Sequence, residues 1–216
     1  MNLGDMDELS RIMWEDAPQS LKDEVARMEA ADKLAVPEFC GFPKIARFSR
    51  DIIITEKIDG TNAQVFVTDD GDVWAGSRKR WLTPAMDNFG FAQWVFENHD
   101  ELLQLGPGRH FGEWYGQGIQ RNYGLDHRRF ALFNVTKWGD ERPACCDVVP
   151  ILYQGPLKST ALPWTFVDCH MDGLQRHGSF AAPGFMDPEG IVIYHTAANV
   201  CFKKTFEGDE GGTTGG

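Results

Sequence analysis

Apolar residues in the middle of the chain recur at the spacing of β-strands. Ile52, Ile53 and Ile54 form one apolar run before Lys57, and residues 63–68 form a second run after a polar turn that contains Gly60. An Asp-Gly pair at residues 70–71 separates this second run from residues 73–76, which is a strong hairpin signal. Similar patterns predict further strands at residues 44–48, 109–115, 130–135, 189–194 and 199–206.

Helical spacing is found in three other stretches. Ser20 and Asp23 resemble a capping box, and apolar residues recur from Leu21 to Ala31, before Val36-Pro37 ends the pattern. Thr83-Pro84 supplies an N-cap and a first-turn proline for a second helix. Its predicted apolar side carries Phe91, Trp94, Val95, Asn98 and Leu102. A third helix is predicted over residues 158–178, with Gly178 as its end and Phe166, Val167, Met171 and Leu174 inward.

Length and composition indicate one main domain. The chain has 216 residues, of which 42% are hydrophobic. It has no apolar stretch long enough for a membrane span and no secretory signal, so we expect a cytoplasmic protein without membrane contacts. Its five cysteines form no C-x-x-C pair, and the spacing of its histidines does not predict a zinc site.

Charge is distributed unevenly along the chain. The net charge is −11, with much of the acidic excess in residues 1–36 and in the tail from Glu207 onward. We therefore predict an acidic helical extension at 1–36, a main body at 37–206 and a disordered glycine-rich tail at 207–216. Basic residues cluster within the body, where local patches can attract a polyanion: Arg78, Lys79, Arg80, Arg121, Arg128, Arg129, Lys203 and Lys204.

Lys57 is the main candidate for chemistry, because it stands where a predicted strand ends. An amine is a nucleophile only when it is deprotonated, so a catalytic lysine needs a desolvated site or neighbouring cations. A surface lysine in a hairpin is the alternative for so short a motif. Glu113 is a second candidate, since it stands among aromatic residues where a buried carboxylate needs hydrogen-bond donors. It would be either a structural acceptor or a ligand contact.

Together these stretches resemble the covalent nucleotidyltransferase superfamily of polynucleotide ligases and mRNA capping enzymes, and most closely its ATP-dependent RNA ligases. Six motifs stand in the family's order, and the resemblance spans residues 44–206. They are Lys57-Ile58-Asp59-Gly60, Ser77-Arg78, Phe111-Gly112-Glu113, Phe130-Ala131-Leu132-Phe133-Asn134, Glu189-Gly190-Ile191-Val192 and Phe202-Lys203-Lys204. The resemblance implies an α+β fold with largely antiparallel sheets and flanking helices.

The resemblance also implies roles for individual residues. Lys57 would attack the α-phosphate of ATP and form a lysyl-N-AMP intermediate. Lys203 or Lys204 would supply positive charge that favours the neutral amine and stabilises the transition state. Glu189 would bind Mg²⁺ or Mn²⁺. The remaining assignments concern the nucleotide. Glu113 would accept hydrogen bonds from the ribose hydroxyls, and Phe130 would stack on the adenine. Arg78 and Asn62 would hold the ribose and phosphates, and Thr55 and Glu56 would lie beside the base.

Two departures from the wider superfamily bear on the substrate and the site. Asn62 stands where DNA ligases and capping enzymes usually carry an arginine. RNA ligases carry an asparagine at this position, so Asn62 favours RNA as the substrate. The family's last motif usually separates its two lysines by one residue, whereas Lys203 and Lys204 are adjacent. Strand alternation lets only one of them face the site, and the match to Phe202-Lys203 favours Lys203.

The resemblance predicts ATP as cofactor and RNA ends, a 5′-phosphate and a 3′-hydroxyl, as substrates. No nicotinamide module or appended oligonucleotide-binding barrel is predicted, so RNA affinity would come from the basic patches, the N-terminal extension or a protein partner. The alternatives are a minimal DNA ligase, a GTP-using capping guanylyltransferase and a non-catalytic nucleic-acid-binding module. The sequence leaves open the oligomeric state and whether the RNA substrate is a nick, a single strand or a stem-loop break.

Overall fold

The computed structural model describes residues 14–32, 38–139, 141–157 and 163–208. The chain divides into two compact units, Met1–Lys44 and Ile45–Gly216. The first unit contains helix α1, Gln19–Asp32. The carbonyl of Pro18 accepts hydrogen bonds from the N–H groups of Leu21 and Lys22, so the helix starts one residue before the predicted Ser20. The predicted boundary at residues 36 and 37 lies outside the described residues, as does the predicted tail from residue 209 onward.

Nine strands are described in the second unit, within residues 45–139, 141–157 and 163–208. In chain order they are β1 Asp51–Lys57, β2 Thr61–Val67, β3 Val73–Ser77, β4 Gly108–Gly116, β5 Arg128–Leu132, β6 Cys146–Val148, β7 Ile151–Pro156, β8 Gly190–His195 and β9 Val200–Thr205. They form an antiparallel four-stranded sheet with the order β7-β1-β8-β9 and a five-stranded sheet with the order β3-β2-β4-β5-β6. Only β5 and β6 pair in parallel. We call these the first sheet and the second sheet.

The helices described in this unit pack on one face of each sheet. They are α2 Phe91–Glu97, α3 His99–Leu102 with a 3₁₀ turn at Leu103–Leu105, and α4 Pro163–His177. From α2, Phe91, Ala92 and Val95 are buried in the same core cluster as Val65 of β2 and Trp114 of β4. The α+β architecture with largely antiparallel sheets agrees with the sequence prediction.

The predicted start of the second helix at Thr83-Pro84 is wrong, because the helix begins at Phe91. Gly90 has a left-handed backbone, with φ at 71°, which interrupts any helix that comes from Pro84. The carboxylate of Asp87 then accepts hydrogen bonds from the N–H groups of Ala92 (2.8 Å) and Gln93 (3.1 Å). Asp87 therefore satisfies the first free donors of α2, a role that the sequence pattern gave to Thr83.

Helix α4 packs on the first sheet as its apolar spacing predicts. Met171 and Leu174 are buried in one cluster with Ile52, Ile54 and Ile191 of that sheet. Gly178 ends the helix with a left-handed backbone (φ 77°). Residues 158–162, the start of the predicted helix, lie outside the described part of the chain.

Two strand predictions differ from the structure, and two strands were not predicted. Residues 44–48 form no strand, and Ile45 is 88% exposed, so the apolar spacing there was misleading. The strand that begins near Phe130 ends at Leu132, because the chain turns at residues 133–138. Strands β6 and β7 were not predicted, since neither carries a run of buried apolar residues. Among the described residues, no helix is long and apolar enough to cross a membrane.

Candidate active site

An open cavity of about 880 Å³ is bordered by both sheets of the second unit. Its size falls in the range of nucleotide-sized ligand sites. The first sheet contributes Ile53, Thr55 and Lys57 from β1, with Val192 and Tyr194 from β8. Successive side chains of a strand point to opposite faces, so Ile52 and Ile54 lie against α4 while their neighbours face the cavity.

Lys57 is the last residue of β1, and its amine lies against a carboxylate. Its Nζ is 2.5 Å from Oε2 of Glu189, which immediately precedes β8. The backbones of Lys57 and Gly190 are paired, which brings the two side chains together. A Cβ at Gly190 would lie 2.2 Å from the carbonyl oxygen of Lys204, so only glycine fits there. The Lys57–Glu189 pair therefore depends on this close approach of β8 and β9.

Glu113 faces the same end of the cavity from β4. Its carboxylate accepts hydrogen bonds from the Gly60 N–H (3.1 Å) and from Nδ2 of Asn62 (3.2 Å). Burial raises the pKa of Glu113 to about 7, the charge of Lys57 opposes this rise, and the charges of Glu189 and Asp59 add to it. Glu113 is thus both a hydrogen-bond acceptor and a group that titrates near neutral pH.

Thr55 and Glu56 both border the cavity, but the carboxylate of Glu56 is already engaged. It accepts hydrogen bonds from the Ser179 hydroxyl (2.5 Å) and from the N–H groups of Phe180 (2.7 Å) and Ala181 (3.0 Å). Burial raises the pKa of Glu56, and these three donors oppose the rise. The Glu56 carboxylate therefore anchors the 179–182 loop to β1 and is not free for a nucleotide base.

Lys203 and Lys204 lie on opposite faces of β9. Lys203 pairs with Val192, which in turn pairs with Thr55, so Lys203 belongs to the row of residues on the cavity face. Lys204 faces the other way, and its Nζ is 2.6 Å from Oδ1 of Asp168 on α4. Of the two lysines, Lys203 therefore lies on the strand face from which it could supply positive charge to the cavity, as its predicted role requires.

The predicted adenine contact of Phe130 is wrong. Phe130 is completely buried, and its ring packs in the core against Phe91 and Trp94, with centroids 5.2 and 5.7 Å away. Phe133, three residues further on, borders the cavity and is 41% exposed. Phe111 borders it as well. The sequence motif offered two phenylalanines, and it did not tell which of them faces the cavity.

Arg78, like Phe130 and Glu189, is not among the residues that line the cavity. It is exposed and directly follows β3, whose last residue, Ser77, pairs with Ala63. Arg78 is therefore near Asn62 along the sheet edge, but the structure does not bring its side chain to Lys57.

Two residues that the sequence reasoning did not assign to the site hold the turn after Lys57. The hydroxyl of Tyr123 accepts a hydrogen bond from the Asp59 N–H (2.7 Å). Arg121 contacts Oδ2 of Asp59 (3.1 Å) and also pairs with Asp187 and Glu207. The sequence analysis noted Arg121 only as one of the basic residues of the body. No sequence pattern indicated the role of Tyr123, because its partner Asp59 is far away in sequence.

The carboxylates at this end of the cavity suit a hard divalent cation. Among the described residues there is no cluster of three metal-ligating side chains. Mg²⁺ and similar ions need no such cluster, since they bind one or two carboxylates and complete their shell with water and substrate phosphates. Glu189, whose carboxylate lies beside Lys57, provides a donor of this kind, whereas the carboxylate of Asp59 is paired with Arg121.

Comparisons with known proteins give the family and the fold of the chain. The family model described as RNA ligase matches residues 50–205. Similar solved structures include an apo mutant of Naegleria gruberi RNA ligase, with TM-score 0.52 and 19% identity, covering 79% of this chain and 57% of that one. Another Naegleria gruberi RNA ligase mutant, solved with AMP and Mn, has TM-score 0.53, 19% identity and the same coverage.

An archaeal ATP-dependent RNA ligase has TM-score 0.53 and 18% identity, and the match covers 77% of this chain and 48% of that one. These likenesses show the fold. The chain spans about half of the length of these solved structures. No curated protein matches the chain.

Proposed function

Because the chain belongs to the RNA ligase family, we propose that it is an ATP-dependent ligase that joins RNA 3′-hydroxyl and 5′-phosphate ends through a lysyl-N-AMP intermediate. One observation carries the proposal. Lys57 ends its strand on a cavity wall, with its Nζ 2.5 Å from Glu189, and Glu113 is held nearby by the Gly60 N–H and Asn62. A nucleophile, a carboxylate for a cation and a polar acceptor for a sugar thus meet in one site.

In the first step, the neutral amine of Lys57 attacks the α-phosphorus of ATP. The new N–P bond replaces the bond to the bridging oxygen, and pyrophosphate leaves. The carboxylate of Glu189, already in contact with Nζ, is placed to take the proton that the amine must lose. Lys203, on the cavity face of β9, supplies positive charge for the phosphate oxygens in the transition state.

The nucleotide itself would be held by the walls of the cavity. Phe133 offers an exposed ring for stacking on adenine, in place of Phe130. Glu113 accepts hydrogen bonds from the ribose hydroxyls, with Asn62 beside it and Thr55 near the base. Glu189 would hold Mg²⁺ or Mn²⁺, which when bound neutralises phosphate charge.

In the later steps, a 5′-phosphate oxygen of RNA attacks the phosphorus of lysyl-AMP. The N–P bond breaks, Lys57 regains its amine, and the RNA carries a 5′-adenylate. A 3′-hydroxyl then attacks the RNA 5′-phosphorus, a phosphodiester forms, and AMP leaves. The same cavity serves both adenylyl transfers, because Lys57 is attacking group in the first and leaving group in the second.

The test is incubation with ATP labelled at the α-phosphate and Mg²⁺ or Mn²⁺, followed by a denaturing gel. We expect the label on the parent chain and none on Lys57→Ala. Sealing assays on RNA and DNA nicks, and a repeat with labelled GTP, separate an RNA ligase from a DNA ligase or a capping enzyme. Folded parent protein, free of bound AMP by mass, that takes no label with either metal would contradict the proposal.

Lys203 and Lys204 provide a matched pair for the same assay. Lys203→Ala should reduce labelling at least about hundredfold, the usual loss when a transition-state cation or donor is removed. Lys204→Ala should label at nearly the parent rate, because the Lys204 side chain lies on the face away from the cavity and pairs with the half-exposed Asp168. Equal losses in both variants would contradict the assignment of Lys203.

A further inference from the structure

The face of the second sheet that is opposite α2 exposes an unusual group of side chains. Trp74 is 50% exposed and Trp81 is 42% exposed, although both are large aromatic residues. Their rings lie beside each other with centroids 6.2 Å apart, and Phe66 is 6.0 Å from Trp81. We call Phe66, Trp74, Trp81 and Arg109 the aromatic–arginine face.

Arg109 is fixed within this face by contacts on several sides. Its guanidinium carbon lies 4.7 Å from the centre of the Phe66 ring and 5.1 Å from that of Trp81. Its Nη1 donates to Oε1 of Gln64 (3.0 Å), and Nε2 of Gln64 donates to the Ser77 carbonyl (3.2 Å). Gly76 makes room for this glutamine, since a Cβ there would lie 2.7 Å from it. The face is therefore ordered before any ligand binds.

The aromatic–arginine face is continuous with the candidate active site. On β2 and β4, three cross-strand pairs follow one another on the same side of the sheet: Asn62 with Glu113, Gln64 with Phe111, and Phe66 with Arg109. The first pair belongs to the candidate active site, and Phe111 and Arg109 border its cavity. Four residues of strand separate the first pair from the third, which is roughly 13 Å. A ligand of a few nucleotides can span both.

Charge along this face favours a polyanion near the active site. Arg78, Lys79 and Arg80 are all exposed and lie between the end of β3 and Trp81. The acidic residues Asp69, Asp70 and Asp72 lie at the opposite end of β3, in the turn from β2. Cations thus gather where β3 approaches Asn62, and acids gather away from it.

We propose that the aromatic–arginine face binds a single-stranded segment of the RNA next to the end that is joined, a proposal that rests on the proposed function. Unpaired bases stack on exposed aromatic rings and on the Arg109 plane, and phosphates contact the neighbouring basic residues. Base pairs in a duplex cannot offer their faces in this way. This assigns substrate binding to the described body of the chain and selects unpaired RNA.

The test measures binding of a 12-nucleotide RNA by fluorescence anisotropy with the full chain. The RNA carries a 5′-hydroxyl and a 3′ fluorophore, so it binds but cannot be joined. In the double variant Trp74→Ala/Trp81→Ala we expect Kd to rise about tenfold or more, the effect of losing base stacks. Lys79→Glu should raise Kd and lower the dependence on salt. Phe96→Ala removes a 73% exposed ring from α2 and should leave Kd within about twofold.

Labelling of Lys57 by ATP separates this proposal from the proposed function. Trp74 and Trp81 do not line the cavity, so the double variant should label like the parent. A folded, labelled double variant that binds RNA with the parent Kd would overturn the RNA-binding proposal alone. A parent protein that binds the same RNA equally well as a single strand and in a perfect duplex would also overturn it. So would a double variant that no longer self-associates, where the parent does, but keeps the parent affinity for RNA. Failure of the parent to label would count against the proposed function and leave the binding result to be judged separately.

Discussion

At the scale of residues, three buried or half-buried glutamates differ because their hydrogen-bond partners differ. Glu56 is saturated by Ser179 and two backbone N–H groups, so it serves the fold. Glu189 contacts the Lys57 amine directly. Burial raises the pKa of Glu113 to about 7, and the charge of Lys57 and the hydrogen bond from the Gly60 N–H offset only part of that rise.

The raised pKa of Glu113 predicts a pH-dependent stability. Folded protein keeps this proton up to about pH 7, whereas the unfolded chain releases it near 4.5. Between these values the folded state binds more protons, so the free energy of unfolding falls as pH rises, by on the order of 3 kcal/mol. Glu113→Gln should remove this decrease, as urea unfolding at pH 5 and pH 7.5 will measure. The exposed Glu97→Gln is the control, and equal pH slopes in parent and Glu113→Gln would contradict the expectation.

The two phenylalanines of the β5 motif give a second prediction. Phe133→Ala should weaken ATP binding by about 1 kcal/mol through loss of a stack and leave the fold intact. Phe130→Ala should lower the free energy of unfolding by roughly 3–5 kcal/mol, because a fully buried ring is removed from the core. Titration with ATP and thermal unfolding distinguish the two effects. A Phe133→Ala protein with parent affinity for ATP would remove the stacking role.

At the scale of elements, strand alternation places most of the site. One row of β1, with Thr55 and Lys57, points into the cavity, and Ile52 and Ile54 of the other row pack against α4. The same rule on β9 separates Lys203 from Lys204. Helix starts are less regular, because they depend on a single capping contact, as at Asp87.

The capping contact of α2 is directly testable. Asp87→Ala removes the acceptor for the N–H groups of Ala92 and Gln93 and should destabilise the protein by about 1 kcal/mol. Thr83→Ala removes an exposed hydroxyl that accepts only from the Met86 N–H and should cost less. Chemical denaturation of both variants provides the comparison. A larger loss in Thr83→Ala would restore the helix start predicted from sequence.

At the scale of the whole molecule, two sheets bring distant segments to one cavity. Lys57, Glu113 and Glu189 come from β1, from β4 and from the residue before β8, and they meet because β1 pairs with β8 while β2 pairs with β4. All of these strands belong to the second compact unit, Ile45–Gly216. This unit therefore contains every residue that the proposed chemistry uses.

Removal of residues 1–44 should consequently preserve labelling of Lys57 by ATP. We expect the shortened chain to label within about threefold of the full chain, since no proposed active-site residue is lost. Circular dichroism of the shortened chain first establishes that it is folded. A folded chain without residues 1–44 that fails to label would show that the first unit takes part in adenylylation.

The sequence by itself determined the strands around Lys57, the hairpin at residues 70–71, helix α4 and the order of six family motifs. These features depend on local periodicity, turn chemistry and short motifs, which a chain carries in its residues. Tertiary structure alone decided that Phe133 and not Phe130 borders the cavity, that Glu56 is saturated by residues 179–181, and that Tyr123 holds the Asp59 turn. Each of these results depends on partners that are far away in sequence, and no local pattern specifies such contacts.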